Sequence, residues 1–149
     1  MLGLSKKTIF AVEAVLDIAY NAGAAPVQAA EITRRQEIPK RYLEPALQQL
    51  VRAGILTGVR GPRGGYRLGR ERSEITLGDV WRVVEGADPA EWDPQSGSDL
   101  GRKVLHPLWT AMRDEAIARL DAITLQQLCD KAREAGVASD SAERLDFTI

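Results

Sequence analysis

The sequence has few of the residues that build disulfides, catalytic triads and metal sites. Its 149 residues include one cysteine, Cys129, and one histidine, His106. A single cysteine excludes an intrachain disulfide and favours the reducing cytoplasm as the location. The chain also lacks a Ser-His-Asp arrangement, a metal-ligand spacing and a GxxxxGK[ST] phosphate loop. We therefore expect a protein that is not an enzyme and that holds no metal ion or cofactor.

Long hydrophobic runs are also missing. No apolar segment approaches the roughly 20 residues that a membrane-spanning helix needs. Residues 1–7 lead into a helical pattern and do not have the form of a signal peptide. The content of 44% hydrophobic and 28% charged residues is typical of a globular protein. We expect a cytoplasmic protein that makes no membrane contact.

The formal net charge of −1 hides opposite balances in two parts of the chain. Residues 1–86 hold 13 Lys and Arg against 9 Asp and Glu, whereas residues 87–149 hold 7 against 12. A basic first part favours a polyanionic partner, and an acidic second part indicates a different role. A chance fluctuation in composition would produce the same division, so the charge alone does not establish it.

Glycine and arginine are concentrated in residues 60–67, which read Arg-Gly-Pro-Arg-Gly-Gly-Tyr-Arg. Apolar runs at 54–59 and 66–68 border this segment, and together they predict a β-hairpin. A glycine-rich tip has little side-chain bulk, so its backbone can approach another surface closely. Arg60 and Arg63 on such a tip suit a phosphate backbone or a narrow minor groove.

Three helices are predicted before the hairpin. The first is capped by Ser5 and ends near Asn21, the second covers about residues 28–35, and the third covers about residues 40–53. The last two are spaced across residues 36–39 like a helix-turn-helix, with the third helix as the recognition helix. The fold class is thus mainly α with a small β-hairpin, and the order is that of a winged helix-turn-helix.

The rest of the chain divides by composition. Residues 76–79 have the form of a capping box and open a fourth helix, which completes a DNA-binding domain over residues 1–86. Residues 87–99 hold two prolines and four acids and are expected to form a loop. Residues 100–136 are expected to form a long helix and a short terminal helix, followed by a flexible tail at residues 137–149.

The long helix carries an apolar stripe that one chain is too short to cover. The simplest cover is a second copy of the chain, so we expect a homodimer. The residues expected at its interface are Val104, Leu108, Met112, Ile117 and Leu120.

Several motifs match a known family. Residues 50–56 read Leu-Val-Arg-Ala-Gly-Ile-Leu, residues 59–68 read Val-Arg-Gly-Pro-x-Gly-Gly-Tyr-x-Leu, and residues 75–80 read Ile-Thr-Leu-Gly-Asp-Val. On these motifs the chain resembles the Rrf-two-type bacterial winged-helix regulators, which include the iron–sulfur cluster-assembly regulator, the nitric-oxide-sensing repressor and the cysteine-metabolism regulator. The resemblance implies a sequence-specific transcriptional regulator, a homodimeric repressor that binds a palindromic operator in double-stranded DNA.

The resemblance also implies roles for individual residues. Glu44 would accept a hydrogen bond from a cytosine amino group, and Arg60 would enter the minor groove. The full set expected at DNA is Ser5, Lys6, Lys7, Gln28, Lys40, Arg41, Tyr42, Glu44, Arg60, Gly61, Arg63, Gly64 and Gly65. The alternatives are that Glu44 is a solvated acid, that Tyr42 belongs to the core, and that the lysines are ordinary surface charges. The same alternative applies to Arg34 and Arg35.

Pro45 departs from the polar residue that the family pattern has after the glutamate. Proline within a helix removes a backbone hydrogen bond and crowds the preceding turn. Either the regular helix begins only at residues 42–44, or it is bent at the proline. In both cases we expect the helix to recognise different bases from those that its relatives recognise.

The cluster ligands of the sensing relatives are also missing. The family pattern places Glu91, Gly97 and Lys103 where three cysteines would be, and only His106 matches a ligand position. One imidazole without thiolates does not hold an iron–sulfur cluster. His106 precedes Pro107, so its simpler role is at the start of the long helix.

The signal must then be of another kind. Candidate sensors are Trp92, beside which a small molecule could bind, His106, and Cys129, whose thiol could be oxidised. A protein effector is a further possibility. Two competing functions are a winged-helix adaptor that contacts proteins and a thiol-based redox regulator that acts through Cys129. Cys129 has a simpler role as a small buried hydrophobe.

Overall fold

The computed structural model describes residues 5–85 and 97–140, which form a mainly helical fold with a two-stranded antiparallel hairpin. The predicted fold class is therefore confirmed. The elements in chain order are α1 (Lys6–Tyr20), α2 (Ala29–Gln36), α3 (Lys40–Arg52), β1 (Leu56–Val59), β2 (Gly65–Leu68), the 3-10 turn (Arg72–Glu74), α4 (Leu77–Glu85), the π-helical turn (Gly101–Leu105), α5 (His106–Asp121) and α6 (Leu125–Glu134).

Side chains that cap the helices fix several of these boundaries. Thr76 and Asp79 exchange hydrogen bonds at the start of α4, with N–O distances of 3.0 and 3.1 Å. Thr124 and Gln127 do the same at the start of α6, at 3.1 and 3.2 Å. Each pair satisfies two backbone groups that a helix start would otherwise leave unpaired. Both predicted capping boxes are confirmed.

The helix α3, which the sequence predicts to be the recognition helix, is helical from its first turn. It begins at Lys40, directly after Pro39, and continues through Pro45 to Arg52. Of the two alternatives that Pro45 left open, a regular helix that begins only at residues 42–44 is therefore wrong, and a bend at the proline stays a prediction. Pro45 removes a single backbone bond, the one to the carbonyl of Arg41, because proline lacks only its own N–H.

The core surrounds α1, which packs against α2, α3, α4, α6 and β2. Small residues on α1 let these elements approach closely, and aliphatic side chains from the other elements fill the space between them. The fully buried aliphatic residues outside α1 include Ile32, Ile38, Leu43, Leu47, Leu50, Ile55, Leu56, Ile75, Val80 and Leu125. This core holds α3 and the hairpin in a fixed relation to each other.

The end of α5 is joined to the start of α4. The backbone N–H of Leu77 donates to the carbonyl of Ile123 at 2.9 Å. Arg82 donates two hydrogen bonds to the Asp121 carboxylate, at 2.7 and 2.6 Å, and they lower the pKa of Asp121. Gly78 makes room for this carboxylate, because a Cβ at residue 78 would overlap Asp121 Oδ1. A rotation of α5 against the domain would therefore break these contacts.

Residues 137–140 are hydrogen-bonded to the end of α1. Tyr20 Oη donates to the carbonyl of Val137 at 2.5 Å, and Ser139 Oγ donates to the carbonyl of Tyr20 at 2.8 Å. The N–H of Asp140 donates to Asn21 Oδ1 at 3.0 Å. The expectation of a flexible tail does not hold for these four residues, while residues 141–149 lie outside the described part of the chain.

Arg35 is the centre of a partly buried ionic network. It donates two hydrogen bonds to the fully buried carboxylate of Asp17, at 2.9 and 2.8 Å. It also pairs with Glu31 at 3.2 Å and with Asp140 at 2.6 Å. The hydrogen bond to Asp17 raises the pKa of the guanidinium above its ordinary value. Arg35 thus joins α1, α2 and the segment 137–140, and it is not an ordinary surface charge.

None of the helices in residues 5–85 and 97–140 combines the length and the apolar character that crossing a membrane requires.

Candidate nucleic-acid interface

The amino-terminal half of α3 presents charged side chains to solvent. The side chains of Lys40 and Glu44 are 81% and 57% exposed, and Lys40 Nζ lies 3.6 Å from Glu44 Oε1. The Arg41 guanidinium lies over the Tyr42 ring, 5.0 Å from its centroid. Tyr42 is half-buried, and its ring centroid is 5.1 Å from that of Phe10 on α1. Tyr42 therefore packs against the core edge and supports Arg41.

Gln48 shares the exposed face of α3 and is not among the contacts expected from the sequence. It lies one helical turn after Glu44 and is exposed, as are Lys40, Arg41 and Pro45. The spacing of four residues from Glu44 is the signal that identifies it, because residues i and i+4 share one face of a helix. Its amide can pair with an adenine edge in a major groove.

The hairpin tip is a closed turn with exposed arginines. The N–H of Gly64 donates to the carbonyl of Gly61 at 2.9 Å, and Pro62 lies at the corner. Gly61 has φ +112°, a conformation that side chains with a Cβ rarely adopt. Arg60 and Arg63 are both exposed on this turn. The tip therefore presents two cations at a turn that a backbone hydrogen bond closes.

Gly64 and Gly65 have a role within the chain. A Cβ on Gly64 would overlap the carbonyl oxygen of Val59, and one on Gly65 would overlap that of Val27. Val27 and Tyr66 exchange backbone hydrogen bonds at 3.0 and 2.7 Å, which attach β2 to the segment before α2. Gly64 thus allows the hairpin to close, and Gly65 allows it to pack against the segment before α2. The space at Gly65 also adjoins the backbone of Gln28, which the fold brings next to the base of the hairpin.

The start of α1 is fixed to the end of α4. Ser5 Oγ accepts from the N–H of Thr8 at 3.2 Å and donates to the Glu85 carboxylate. Thr8 Oγ1 donates to the same carboxylate at 2.5 Å. The hydrogen bonds from Ser5 and Thr8 lower the pKa of Glu85. The Ser5 hydroxyl is therefore used within the chain, whereas the side chains of Lys6 and Lys7 are exposed.

The expected dimer residues differ in exposure. Val104, Leu108 and Met112 are 56%, 50% and 38% exposed. Ile117 and Leu120 are partly buried, and Leu120 lines an apolar crevice of about 170 Å³ against α1 and α4. Two leucines that the sequence did not single out, Leu100 and Leu105, are also exposed, at 67% and 40%.

The three candidate sensors lie in different settings. Trp92 is outside the described residues. His106 is the first residue of α5, and Pro107 follows it in the first turn. Cys129 is fully buried in the core on α6. Oxidants in solution have no access to a thiol in this position while the domain is folded.

The motifs and the fold identify the family. A sequence model described as "Rrf2: Iron-dependent Transcriptional regulator" matches residues 4–131. The chain belongs to the Rrf2 family. The family resemblance seen in the sequence is thereby confirmed.

Several Rrf2-type relatives match most of the chain. The HTH-type transcriptional regulator IscR of Escherichia coli is 40% identical over 127 residues, which cover 84% of this chain and 78% of that protein. The solved structure of T. potens IscR is 32% identical and covers 92% of this chain and 93% of its own, with a TM-score of 0.73. That of CymR, the global cysteine regulator of B. subtilis, is 30% identical and covers 88% and 98%, with a TM-score of 0.72.

These relatives are transcriptional regulators and not enzymes. As an Rrf2-family protein, the chain is a DNA-binding transcriptional regulator, and DNA is its partner.

The iron dependence in the Rrf2 description raises the question of whether this chain's donors fit an iron–sulfur cluster. Clusters of this kind need several thiolates, and the sequence has one cysteine, which is buried on α6. Within residues 5–85 and 97–140, no group of three or more His, Cys, Asp or Glu side chains could hold a metal ion. The donor set does not fit a cluster.

Proposed function

We propose that this chain is a sequence-specific homodimeric repressor that binds a palindromic operator in the cytoplasm, without an iron–sulfur cluster. The observation that carries the proposal is the presence of two exposed features on elements that share one core. One is the polar face of α3, and the other is the hairpin tip with Arg60 and Arg63. Winged-helix proteins use these two elements for the major groove and for the flanking minor groove or phosphates.

In this proposal α3 supplies the base contacts. Glu44 would be repelled by phosphates, but Lys40 lies 3.6 Å away and offsets its charge. A carboxylate in a major groove is useful when it accepts from a cytosine amino group. Arg41, held over the Tyr42 ring, and Gln48 extend this surface on either side of Glu44. The face therefore favours a site that includes a C·G pair.

In this proposal the hairpin contributes to the affinity for DNA. Arg60 and Arg63 meet a polyanion without a large loss of backbone entropy, because the turn is already closed. Arg60 would enter a minor groove, where negative potential is focused. Lys6, Lys7 and the start of α2 at Gln28 would add phosphate contacts.

The homodimer would be formed by an exposed apolar row that begins at Leu100 and continues along the π-helical turn and α5. Its members at Leu100, Val104, Leu108 and Met112 follow one another at intervals of four residues. Four exposed apolar side chains in a row are unusual on a monomer and typical of an interface. The hydrogen bonds between α4 and the end of α5 would then fix the distance between the two recognition helices of the dimer.

The order of the segments along the chain supports residues 87–99 as the place where a signal would act. Residues 1–86 would bind DNA, residues 100–136 would dimerise, and residues 87–99 connect the two. A small-molecule or protein effector that binds near Trp92 in this connection would change their relation. The buried position of Cys129 makes thiol oxidation the weaker alternative.

Selection of bound fragments from a random DNA library tests the proposal. The expected result is an enriched inverted repeat whose binding weakens steeply with salt. Binding to a protein partner with no enrichment of any DNA sequence would support the adaptor alternative and contradict the proposal.

The absence of a cluster has its own test. Protein purified anaerobically from an iron-replete host should be colourless. Stoichiometric iron and acid-labile sulfide in that protein would show that this part of the proposal is wrong.

A further inference from the structure

The exposed face of α3 contains one residue that packing does not explain. Pro45 lies within the helix, where proline is the least favourable residue. Its ring is exposed to solvent and takes no part in the core. Neither helix stability nor packing within the described residues therefore accounts for a proline here.

Pro45 lies at one edge of the exposed face of α3 and directly follows Glu44 in the chain. Successive residues of a helix are about 1.5 Å apart along the axis and about 100° apart around it. The exposed residues Lys40, Glu44, Gln48, Arg41 and Pro45 then cover an arc of about 140°, with Pro45 at one edge. Because Pro45 lies about 100° around the helix from Glu44 and base pairs are about 3.4 Å apart, Pro45 would meet a base pair beside the one that Glu44 meets.

The chemistry of the ring limits what it can recognise. Pro45 has no N–H and no polar side-chain atom, so it cannot pair with the donors and acceptors of a base edge. The apolar group that a base presents in the major groove is the C5 methyl of thymine. An amino or carbonyl group of a base that packs against the ring would lose its hydrogen bonds to water and gain no hydrogen-bond partner, which is unfavourable. The ring also loses no rotamer freedom when it is covered.

We infer that Pro45 recognises a thymine through its C5 methyl group, beside the base pair that Glu44 contacts. This inference rests on the proposed DNA-binding role of α3, and it specifies part of the sequence that this role selects. Each half-site should then contain a thymine whose methyl group, and not only its hydrogen-bonding edge, contributes to binding.

Replacement of thymine by uracil tests this inference, because it removes the methyl and leaves the hydrogen-bonding atoms. Thymines of the selected duplex are replaced one at a time, and dissociation constants are measured for the full-length protein. At one position in each half-site, uracil should weaken wild-type binding about fourfold, the effect expected for one buried methyl. Uracil at other positions should have less than about a twofold effect.

Variants at residue 45 test whether Pro45 is the residue that contacts the methyl group. Pro45→Val keeps an apolar side chain and should keep the response to uracil, whereas Pro45→Ser should abolish it. Both remove a proline from a helix interior, so neither should impair folding, and circular dichroism checks this. Arg60→Ala is the matched control, because it should weaken all duplexes while the uracil response remains.

The outcomes separate this inference from the proposed function. Failure of the wild-type protein to select any DNA sequence would overturn the proposed function, and the inference with it. Specific binding that uracil does not weaken at any position would overturn the inference alone. A uracil response that persists in Pro45→Ser would do the same, because another residue would then contact the methyl.

Discussion

At the scale of single residues, replacement of Glu44 and replacement of Arg60 should change DNA binding in different ways. Arg60→Ala removes a cation from a groove, so it should weaken binding to all DNA and lower the salt slope by roughly one unit for each phosphate that is no longer neutralised. Glu44→Ala removes an acid that repels phosphates, so binding to random DNA should stay the same or become stronger. Its preference for the selected site should fall by about 1–3 kcal/mol for each base that Glu44 recognises.

Titrations of selected and scrambled duplexes at two salt concentrations measure both effects. If Glu44→Ala weakens binding to both duplexes equally, or changes neither, then Glu44 is not a base-reading residue. The recognition surface would in that case be centred on Lys40 and Arg41.

Residue types and local spacing predict much of the candidate interface, but not the contacts that depend on distant parts of the chain. The sequence does not distinguish Arg35 from a surface charge, because Asp17 and Asp140 are 18 and 105 residues away along the chain. The motif predicts Gly64 and Gly65 at DNA, whereas the structure shows their backbone packing within the domain.

At the scale of elements, local signals predict the helices and the hairpin well. A capping box is complete within four residues, so Thr76 and Thr124 mark the starts of α4 and α6 without help from the rest of the chain. The π-helical turn at Gly101–Leu105 and the docking of residues 137–140 have no such signal. Both depend on how the surrounding chain is packed, and no short motif encodes that.

The junction between α1 and α4 should make stability depend on pH. The pKa of Glu85 is lowered in the folded state, chiefly by the hydrogen bonds from Ser5 and Thr8. A lowered pKa stabilises the fold above the ordinary carboxyl pKa, and this stability is lost as the pH falls through the folded value. Glu85→Gln should therefore flatten the fall in the free energy of unfolding below about pH 5.

Denaturant unfolding at a series of pH values measures this effect. Glu115→Gln, on the exposed part of α5, is the matched control and should leave the profile unchanged. A Glu85→Gln profile that follows the wild type throughout would show that this junction does not contribute.

The segment 137–140 should stabilise the domain. A chain that ends at Gly136 loses the hydrogen bonds to Tyr20 and Asn21 and the Asp140 partner of Arg35. We expect its free energy of unfolding to fall by about 1–3 kcal/mol, as measured in urea. A chain that ends at Asp140 keeps these contacts and should be close to wild type. Equal destabilisation of both chains would contradict a role for residues 137–140.

At the scale of the whole molecule, dimerisation should depend on the exposed row of α5. Leu108→Asp would place a carboxylate in an apolar contact and should weaken the dimer by at least about 3 kcal/mol, which is more than about a hundredfold. Val137→Asp is the matched control, because Val137 is 54% exposed but lies outside the row. Light scattering should give twice 16.3 kDa for wild type and control at micromolar concentration. A dimeric Leu108→Asp protein would place the interface elsewhere.

Two copies of this chain should present two α3 helices to one symmetric DNA site. The most direct test combines a hydroxyl-radical footprint on the selected duplex with the mass of the complex in solution. We predict two protein chains for each duplex and two-fold symmetric protection, with half-site centres about one helical turn, roughly 34 Å, apart. One bound chain per duplex, or protection without two-fold symmetry, would contradict this symmetric arrangement.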